Sequence, residues 1–192
     1  MSSDDDLRWK LGARHPGADY AIFKTSFVEA THPRANKPKK FSCIECVDWV
    51  NVIALTPDDK VVLVRQYRVG NDTVSLEIPG GMVDEGESAR FAAVRELEEE
   101  TGYTSKSWHT LGCVAPNPAI FNNKLWSFLA LDATPTGKQK LDSGEVIDLD
   151  LVPLDEVHEM LLDRRIDHAL VVDAFAHLAF RLGGLRRPPL ES

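Results

Sequence analysis

A run of glutamates is the part of this sequence best suited to chemistry: Glu96, Glu98, Glu99 and Glu100 fall within "RELEEE". Like charges three or four residues apart on a helix repel each other, at a cost of roughly a few tenths of a kcal/mol per pair. At about 100° per residue, Glu96, Glu99 and Glu100 share one helix face and Glu98 points away. Hard divalent cations prefer carboxylate oxygens. The run therefore predicts either a metal site or a solvated acidic stripe.

The residues on both sides of the run predict a loop that leads into a helix. Ser88 is a typical N-cap, residues 89–101 suit a helix, and Gly102 suits the position just after its end. The helix is expected to carry the three carboxylates on one side.

The spacing from Gly81 to Tyr103 resembles the signature of the Nudix family. In order it contains Gly81, five residues, Glu87, seven residues, Arg95, Glu96, Leu97, one residue, Glu99, Glu100, one residue, Gly102 and Tyr103. The resemblance implies a hydrolase that uses Mg²⁺ or Mn²⁺ to cleave the pyrophosphate of a nucleoside diphosphate linked to another group. It also implies that Glu96, Glu99 and Glu100 are metal ligands, with a backbone carbonyl of Gly80 or Gly81.

Two further positions of the signature have support roles in the family. The resemblance implies that Glu87 pairs with Arg95 and so holds the loop against the helix. Divalent ions that bridge a pyrophosphate neutralise its charge and activate water, so no Ser, Cys or His nucleophile is required. The chain has no Gly-x-x-x-x-Gly-Lys-Ser/Thr loop, which disfavours P-loop phosphoryl transfer.

The segment before the signature bears on the substrate. "RQYR" followed by "LEIPGG" resembles the branch of the family that hydrolyses ADP-ribose and other nucleoside diphosphate sugars. By this resemblance Arg65 and Arg68 contact phosphate, which guanidinium groups bind in a bidentate manner, and Glu77 accepts from a hydroxyl or base. The alternative is that both arginines end an exposed strand and pair with surface acids.

Three other residues are candidates for substrate binding. Pro118 follows the signature by about 15 residues, where ADP-ribose hydrolases of the family tend to carry a proline, and Asn122 is expected to contact a base or sugar. A plain turn is the alternative for this segment. Trp49 suits stacking on adenine, although a tryptophan on a strand also suits the core or an interface.

The general base has two candidates. Members of this branch place a glutamate on a mobile loop after the signature, and "LDSGEVIDLD" offers Glu145, with Ser143 and Gly144 giving flexibility. A surface acid is the alternative for Glu145, and Glu99 is the second candidate for positioning the water.

The rest of the pattern predicts a Nudix-type α/β/α sandwich with a mixed β-sheet, preceded by a short β extension. We expect an N-terminal extension over 1–43, used for dimerisation, a Nudix hydrolase domain over 44–183, and a tail over 184–192. "FSCIECVDWVNVIALT" and "KVVLVRQYR" predict two strands joined in a hairpin at Pro57. Two helices, from Asp155 and from about Asp167, close the domain.

Composition limits the partners. The 192 residues carry a net charge of -8, which disfavours nucleic acid and anionic membranes as partners. With no membrane-spanning run and three cysteines, we expect a cytoplasmic protein. The resemblance to the Nudix family implies a homodimer that hydrolyses a nucleoside diphosphate sugar. The alternatives are a ligand-sensing Nudix module without turnover and a Nudix hydrolase of another nucleotide class.

Overall fold

The structure is a computed structural model and describes residues 4–183. These residues form two compact units, one of 4–47 with 115–124 and the other of 48–114 with 125–183. Each unit is described by itself. The expected tail, 184–192, lies outside the described residues, and the expected boundary between 43 and 44 stays a prediction.

Twelve strands and three α-helices lie within residues 4–183. In chain order the strands are β1 (Lys10–Asp19), β2 (Lys24–Thr31), β3 (Pro38–Glu45), β4 (Trp49–Ala54), β5 (Lys60–Arg68), β6 (Thr73–Glu77), β7 (Gly80–Met82), β8 (Tyr103–Thr104), β9 (Ser107–Val114), β10 (Leu125–Leu131), β11 (Thr134–Pro135) and β12 (Ile147–Pro153). The helices are α1 (Ala89–Thr101), α2 (Leu154–Leu162) and α3 (Ala169–Gly183). None of these helices is long and apolar enough to cross a membrane.

The first unit contains an antiparallel sheet of three strands in the order β1-β2-β3. Along β2, Ser26, Val28 and Ala30 are buried and the residues between them are more exposed, which is the period of a strand with one covered face. All ten residues of β1 are exposed.

The second unit contains the mixed sheet that the sequence predicts. Its strand order is β7-β4-β10-β9, and it is mixed because β4 and β10 run parallel while the other pairs are antiparallel. A second sheet has the order β12-β5-β6, and β11 pairs with β8.

The predicted hairpin is wrong. The first of its two segments is divided between β3 and β4, and β4 and β5 belong to different sheets, although Leu55 and Val61 form an isolated bridge between them. Both strands are central: β4 pairs with β7 and β10, and β5 pairs with β12 and β6. Apolar runs such as "VVLV" suit a strand covered on both faces, but they do not specify its neighbours.

The two central strands bury alternate residues in two cores. Val52 packs in a cluster with Leu97 of α1, whereas Ile53 packs in a cluster with Val157 of α2 and Phe175 of α3. Because successive side chains of a strand point to opposite faces, helices cover both sides of the sheets. The α/β/α sandwich is therefore confirmed.

Helix α1 has the predicted limits, Ala89 to Thr101. The Ser88 hydroxyl accepts a hydrogen bond from the Phe91 N–H at 3.2 Å and caps the start. Gly102 ends the helix with φ of 71°, a left-handed conformation that glycine adopts without strain. These local signals determine where the carboxylate run begins and ends.

Candidate active site

Two glycines on β7 bring the carboxylate helix against the sheet. Gly80 and Gly81 pair with Asn51 and Val50 of β4. A side chain at Gly80 would overlap the Val50 carbonyl oxygen, and one at Gly81 would overlap the Glu96 carboxylate. Glycine is needed at Gly80 because backbone approaches it closely, and the lack of a side chain at Gly81 leaves space for the Glu96 carboxylate.

The three carboxylates predicted to share a face differ in burial. Glu100 is 4% exposed, and one of its oxygens accepts a hydrogen bond from the Gly80 N–H at 3.0 Å. The Glu96 side chain is 13% exposed and that of Glu99 is 41% exposed. Burial, assisted by the charges of Glu96 and Glu145, raises the pKa of Glu100 to about 8, and burial also raises the pKa of Glu96. Negative charge at this face therefore needs compensation.

Arg95 supplies part of that compensation. Its guanidinium donates two hydrogen bonds to Glu87, at 3.1 and 3.0 Å, one to Glu96 at 2.8 Å and one to Glu99 at 3.2 Å. A further bond reaches the Met82 carbonyl at 3.0 Å. The hydrogen bonds from Arg95 lower the pKa of Glu87. The loop before α1 is thus tied to the helix by one arginine.

The donor set fits a hard divalent cation. In their present rotamers the carboxylates contact Arg95 and the Gly80 N–H, and no three His, Cys, Asp or Glu side chains in residues 4–183 stand in coordinating geometry. Three carboxylates that converge on one face, two of them with pKa values raised by burial, still provide the oxygen ligands and the excess charge that such ions require.

A second buried charge lies beside this group. Arg68 donates from Nε and Nη2 to the two oxygens of Glu77, each at 2.7 Å. The Glu77 side chain is 5% exposed and that of Arg68 is 42% exposed. Burial raises the pKa of Glu77, but the hydrogen bonds and charge of Arg68 outweigh it and leave that pKa lowered.

Two cavities meet at Arg68 of this pair. The first, of about 340 Å³, is lined by Trp49, Asn51, Arg68, Glu77, Ile78, Leu125, His168, Leu170 and Val171, among others. The second, of about 290 Å³, is lined by the acidic residues Asp84, Glu96, Glu99, Glu100, Asp142 and Glu145, among others. Arg68, Gly80, Gly81 and Met82 line both cavities. An acidic chamber and a larger, more apolar chamber therefore share a wall.

Glu145 lies on the loop between β11 and β12 and is half-buried. It lines the acidic cavity, and its charge helps to raise the pKa values of Glu96 and Glu100. The structure thus brings Glu145 together with the carboxylates of α1, as a general base would require.

Three predicted residues lie elsewhere. Arg65 does not line either cavity and instead pairs with Asp150 of β12, with Nε and Oδ2 3.0 Å apart. Pro118 and Asn122 belong to the first unit, where the Asn122 side-chain oxygen accepts from the Cys46 N–H at 3.0 Å. Their roles in binding stay predictions.

Sequence reasoning missed three residues that line the cavities. Gln66 faces the acidic cavity, and its position two residues before Arg68 on a strand was the available signal. Asn51 donates to the Leu170 carbonyl at 2.8 Å, and no local signal reveals this contact. His168 is half-buried, with Nε2 3.9 Å from a Glu77 oxygen.

An α/β/α sandwich with a capped carboxylate helix facing a diglycine strand is the architecture of a Nudix pyrophosphohydrolase. The family model described as "NUDIX domain" matches residues 48–175. The chain belongs to this family, and the resemblance of its sequence is confirmed.

Relatives and solved structures agree with this membership. An ADP-ribose pyrophosphatase of Bacillus subtilis (strain 168) is 28% identical over 156 residues, which cover 81% of this chain and 84% of that protein. A methanol dehydrogenase activator of Bacillus methanolicus is 35% identical over 130 residues, covering 67% and 70%. The crystal structure of an ADP compounds hydrolase superposes with a TM-score of 0.80 at 24% identity, covering 92% and 95%, which supports the fold.

Proposed function

We propose that this protein hydrolyses the pyrophosphate bond of a nucleoside diphosphate sugar with Mg²⁺ or Mn²⁺, converting ADP-ribose to AMP and ribose 5-phosphate. The observation that carries the proposal is the shared wall between the acidic cavity and the larger cavity that Trp49 lines. A substrate that spans both places its pyrophosphate beside the carboxylates and one end in a chamber of the size that suits small-molecule ligands. The similarity to an ADP-ribose pyrophosphatase supports the choice of substrate.

In this proposal Glu96, Glu99 and Glu100 hold the metal, together with the backbone carbonyl of Gly80. Bound divalent ions would neutralise the pyrophosphate oxygens and lower the pKa of the attacking water. Glu87 holds Arg95, whose guanidinium would give up Glu96 and Glu99 if these carboxylates held a metal. The hydrogen bonds that Arg95 donates to Glu87, Glu96 and Glu99 support this arrangement.

Other residues act on the substrate and the water. Arg68 lines both cavities and is placed to contact a phosphate oxygen with the N–H groups that Glu77 does not use. Trp49 stacks on the base in the larger cavity. Glu145 removes the proton from the attacking water; Glu99 is the alternative base.

We further propose that the protein is a cytoplasmic homodimer and that its first unit forms the dimer contact. The exposure of all ten residues of β1, including Leu11 at 70%, supports a partner for this sheet. Light scattering at a series of concentrations tests the proposal: a mass of two chains is expected, and a single-chain mass at all concentrations contradicts it.

A second candidate function follows from one comparison. The relative from Bacillus methanolicus is called an activator of another enzyme, which favours a regulatory module that binds a nucleotide. The presence of every carboxylate of the signature favours hydrolysis instead. Tight binding of ADP-ribose without metal and without product, measured by calorimetry, would support the regulatory function.

A substrate panel tests the proposed function. Purified protein with Mg²⁺ is incubated with ADP-ribose, ADP-glucose, GDP-mannose and UDP-glucose, and the nucleotide products are separated by chromatography. We expect AMP from ADP-ribose at the highest rate and no product with EDTA. The proposal would be overturned if none of the four compounds is hydrolysed with Mg²⁺ or with Mn²⁺.

A further inference from the structure

The C-terminal end of α1 is capped by a loop that comes about 40 residues later in the chain. The last carbonyls of a helix have no partner within the helix and must find one elsewhere. Here the Glu99 carbonyl accepts from the Lys140 N–H at 2.7 Å, and the Glu100 carbonyl accepts from the Gln139 side-chain amide at 2.7 Å. The Thr136 N–H donates to the Gly102 carbonyl at 2.9 Å.

The amide of Gln139 makes a second contact. Its nitrogen also donates to the carbonyl of Ile147, the first residue of β12, at 3.1 Å. One side chain therefore links the end of α1 to the point where the loop finishes. We call these two hydrogen bonds of the Gln139 amide the Gln139 bridge. The bridge holds the two ends of the segment 140–146 together.

The tip of the loop has local hydrogen bonds. The Asp142 N–H donates to a Glu145 carboxylate oxygen at 3.0 Å, and the Glu145 N–H donates to the Asp142 carbonyl at 3.0 Å. These bonds shape the tip but do not attach it to α1. The attachment comes from the stem, next to the backbone of two carboxylate residues, Glu99 and Glu100.

We propose that Gln139 is a positioning residue that holds the loop carrying Glu145 next to the carboxylates of α1. This inference rests on the proposed function, in which Glu145 is the general base. The bridge ties the loop to the same helix turn that carries Glu99 and Glu100, so the base and the metal ligands move together. Loss of the bridge lets the tip move away from the helix and lowers the rate of the chemical step.

The neighbouring ion pair is a less effective anchor. Lys140 Nζ lies 2.8 Å from a Glu98 oxygen, but the two side chains are 66% and 42% exposed. Exposed pairs of this kind contribute about 0.2 to 1 kcal/mol. Gln139 is half-buried and donates to two backbone carbonyls, so its loss removes a hydrogen bond from each of them.

A double-mutant cycle tests the proposal. Gln139→Met keeps the length of the side chain without the donor, Gln139→Glu replaces the donor with an acceptor, and Lys138→Met is the matched control on the same loop. We expect both Gln139 variants to lower kcat for ADP-ribose by about tenfold, with KM changed by less than about twofold. Lys138→Met is expected to retain the wild-type values.

The second side of the cycle uses Glu145→Gln as the background. Because Gln139 acts through Glu145, Gln139→Met is expected to cause no further loss of kcat in that background. Equal losses in the two backgrounds, or an unchanged kcat in both Gln139 variants, would overturn the proposal.

Hydrogen exchange provides a readout that does not depend on turnover. Gln139→Met is expected to increase exchange in the peptide that covers 136–147, and Lys138→Met is not; unchanged exchange in Gln139→Met would overturn the bridge. A wild-type protein that hydrolyses none of the panel refutes the proposed function instead, while the exchange result still decides whether Gln139 holds the loop.

Discussion

Arg68 and Glu77 form a two-point ion pair, with Nε and Nη2 each 2.7 Å from a separate carboxylate oxygen. The pair lies where the acidic cavity meets the larger cavity, since Arg68 lines both. Glu77 holds one edge of the guanidinium and so directs the remaining N–H groups. The orientation of Arg68, which we propose binds phosphate, is thereby determined by a buried acid.

Glu77→Gln is expected to weaken both folding and substrate binding. The amide keeps one acceptor but loses the charge opposite Arg68, so the free energy of unfolding should fall by about 1–3 kcal/mol. KM for ADP-ribose should rise because Arg68 is no longer held. Urea unfolding and steady-state kinetics measure the two effects. Asp150→Asn, which removes the exposed partner of Arg65, is the control and should cost less than about 1 kcal/mol.

Gly80→Ala and Gly81→Ala should have contrasting effects. At Gly80 the new methyl meets the Val50 carbonyl, which is backbone and cannot move away, so we expect a loss of about 1–3 kcal/mol of stability. At Gly81 it meets the Glu96 carboxylate, the end of a flexible side chain. The free energy of unfolding of Gly81→Ala should therefore lie within about 1 kcal/mol of the wild-type value. Most activity should be lost, because the methyl group displaces the Glu96 carboxylate. A large loss of stability in Gly81→Ala with unchanged activity would contradict this assignment.

The stability contributed by Glu87 should depend on pH. The hydrogen bonds from Arg95 lower the pKa of Glu87 in the folded protein, whereas the pKa of a glutamate in the unfolded chain is about 4.3. The folded state is therefore favoured above the unfolded pKa, and this advantage is lost as the pH falls through the lower, folded pKa. The difference in unfolding free energy between wild type and Glu87→Gln should have its maximum value at pH 7 and decrease below about pH 4. Glu85→Gln serves as the control from the same loop.

Divalent cations should stabilise the protein through the carboxylates of α1. A ligand at 100 times its dissociation constant adds about 2.7 kcal/mol to the stability of the folded state. Mn²⁺ should therefore raise the melting temperature of the wild type, and Glu96→Gln and Glu99→Gln should reduce this shift. Glu98→Gln should retain it. A shift of the same size in all four proteins would place the cation elsewhere.

The carboxylate helix could be predicted in detail because its signals are local. The hydroxyl of Ser88, the left-handed Gly102 and the spacing of Glu96, Glu99 and Glu100 all lie within one segment. The Nudix-type sandwich followed from the resemblance of that same segment, together with the order of strands and helices.

The features that could not be predicted depend on distant contacts. Asn51 reaches the Leu170 carbonyl across 119 positions, and Gln139 reaches the Glu100 carbonyl across 39. The placement of β4 and β5 in different sheets has the same origin, because an apolar strand does not specify its neighbours. The ion pair of Glu98 with Lys140 also depends on a distant contact, and the sequence predicted only that Glu98 points away from the carboxylate face.

The release of AMP from ADP-ribose by wild type, Glu100→Gln and Glu98→Gln, measured side by side with Mg²⁺, is the most direct test of the proposed hydrolysis. We expect wild type and Glu98→Gln to form AMP at rates within about twofold of each other. Glu100→Gln should retain the fold by circular dichroism and lose at least about 100-fold in rate. Equal rates in the folded Glu100→Gln and wild-type proteins would contradict the assignment of the carboxylate face of α1 as the catalytic metal site.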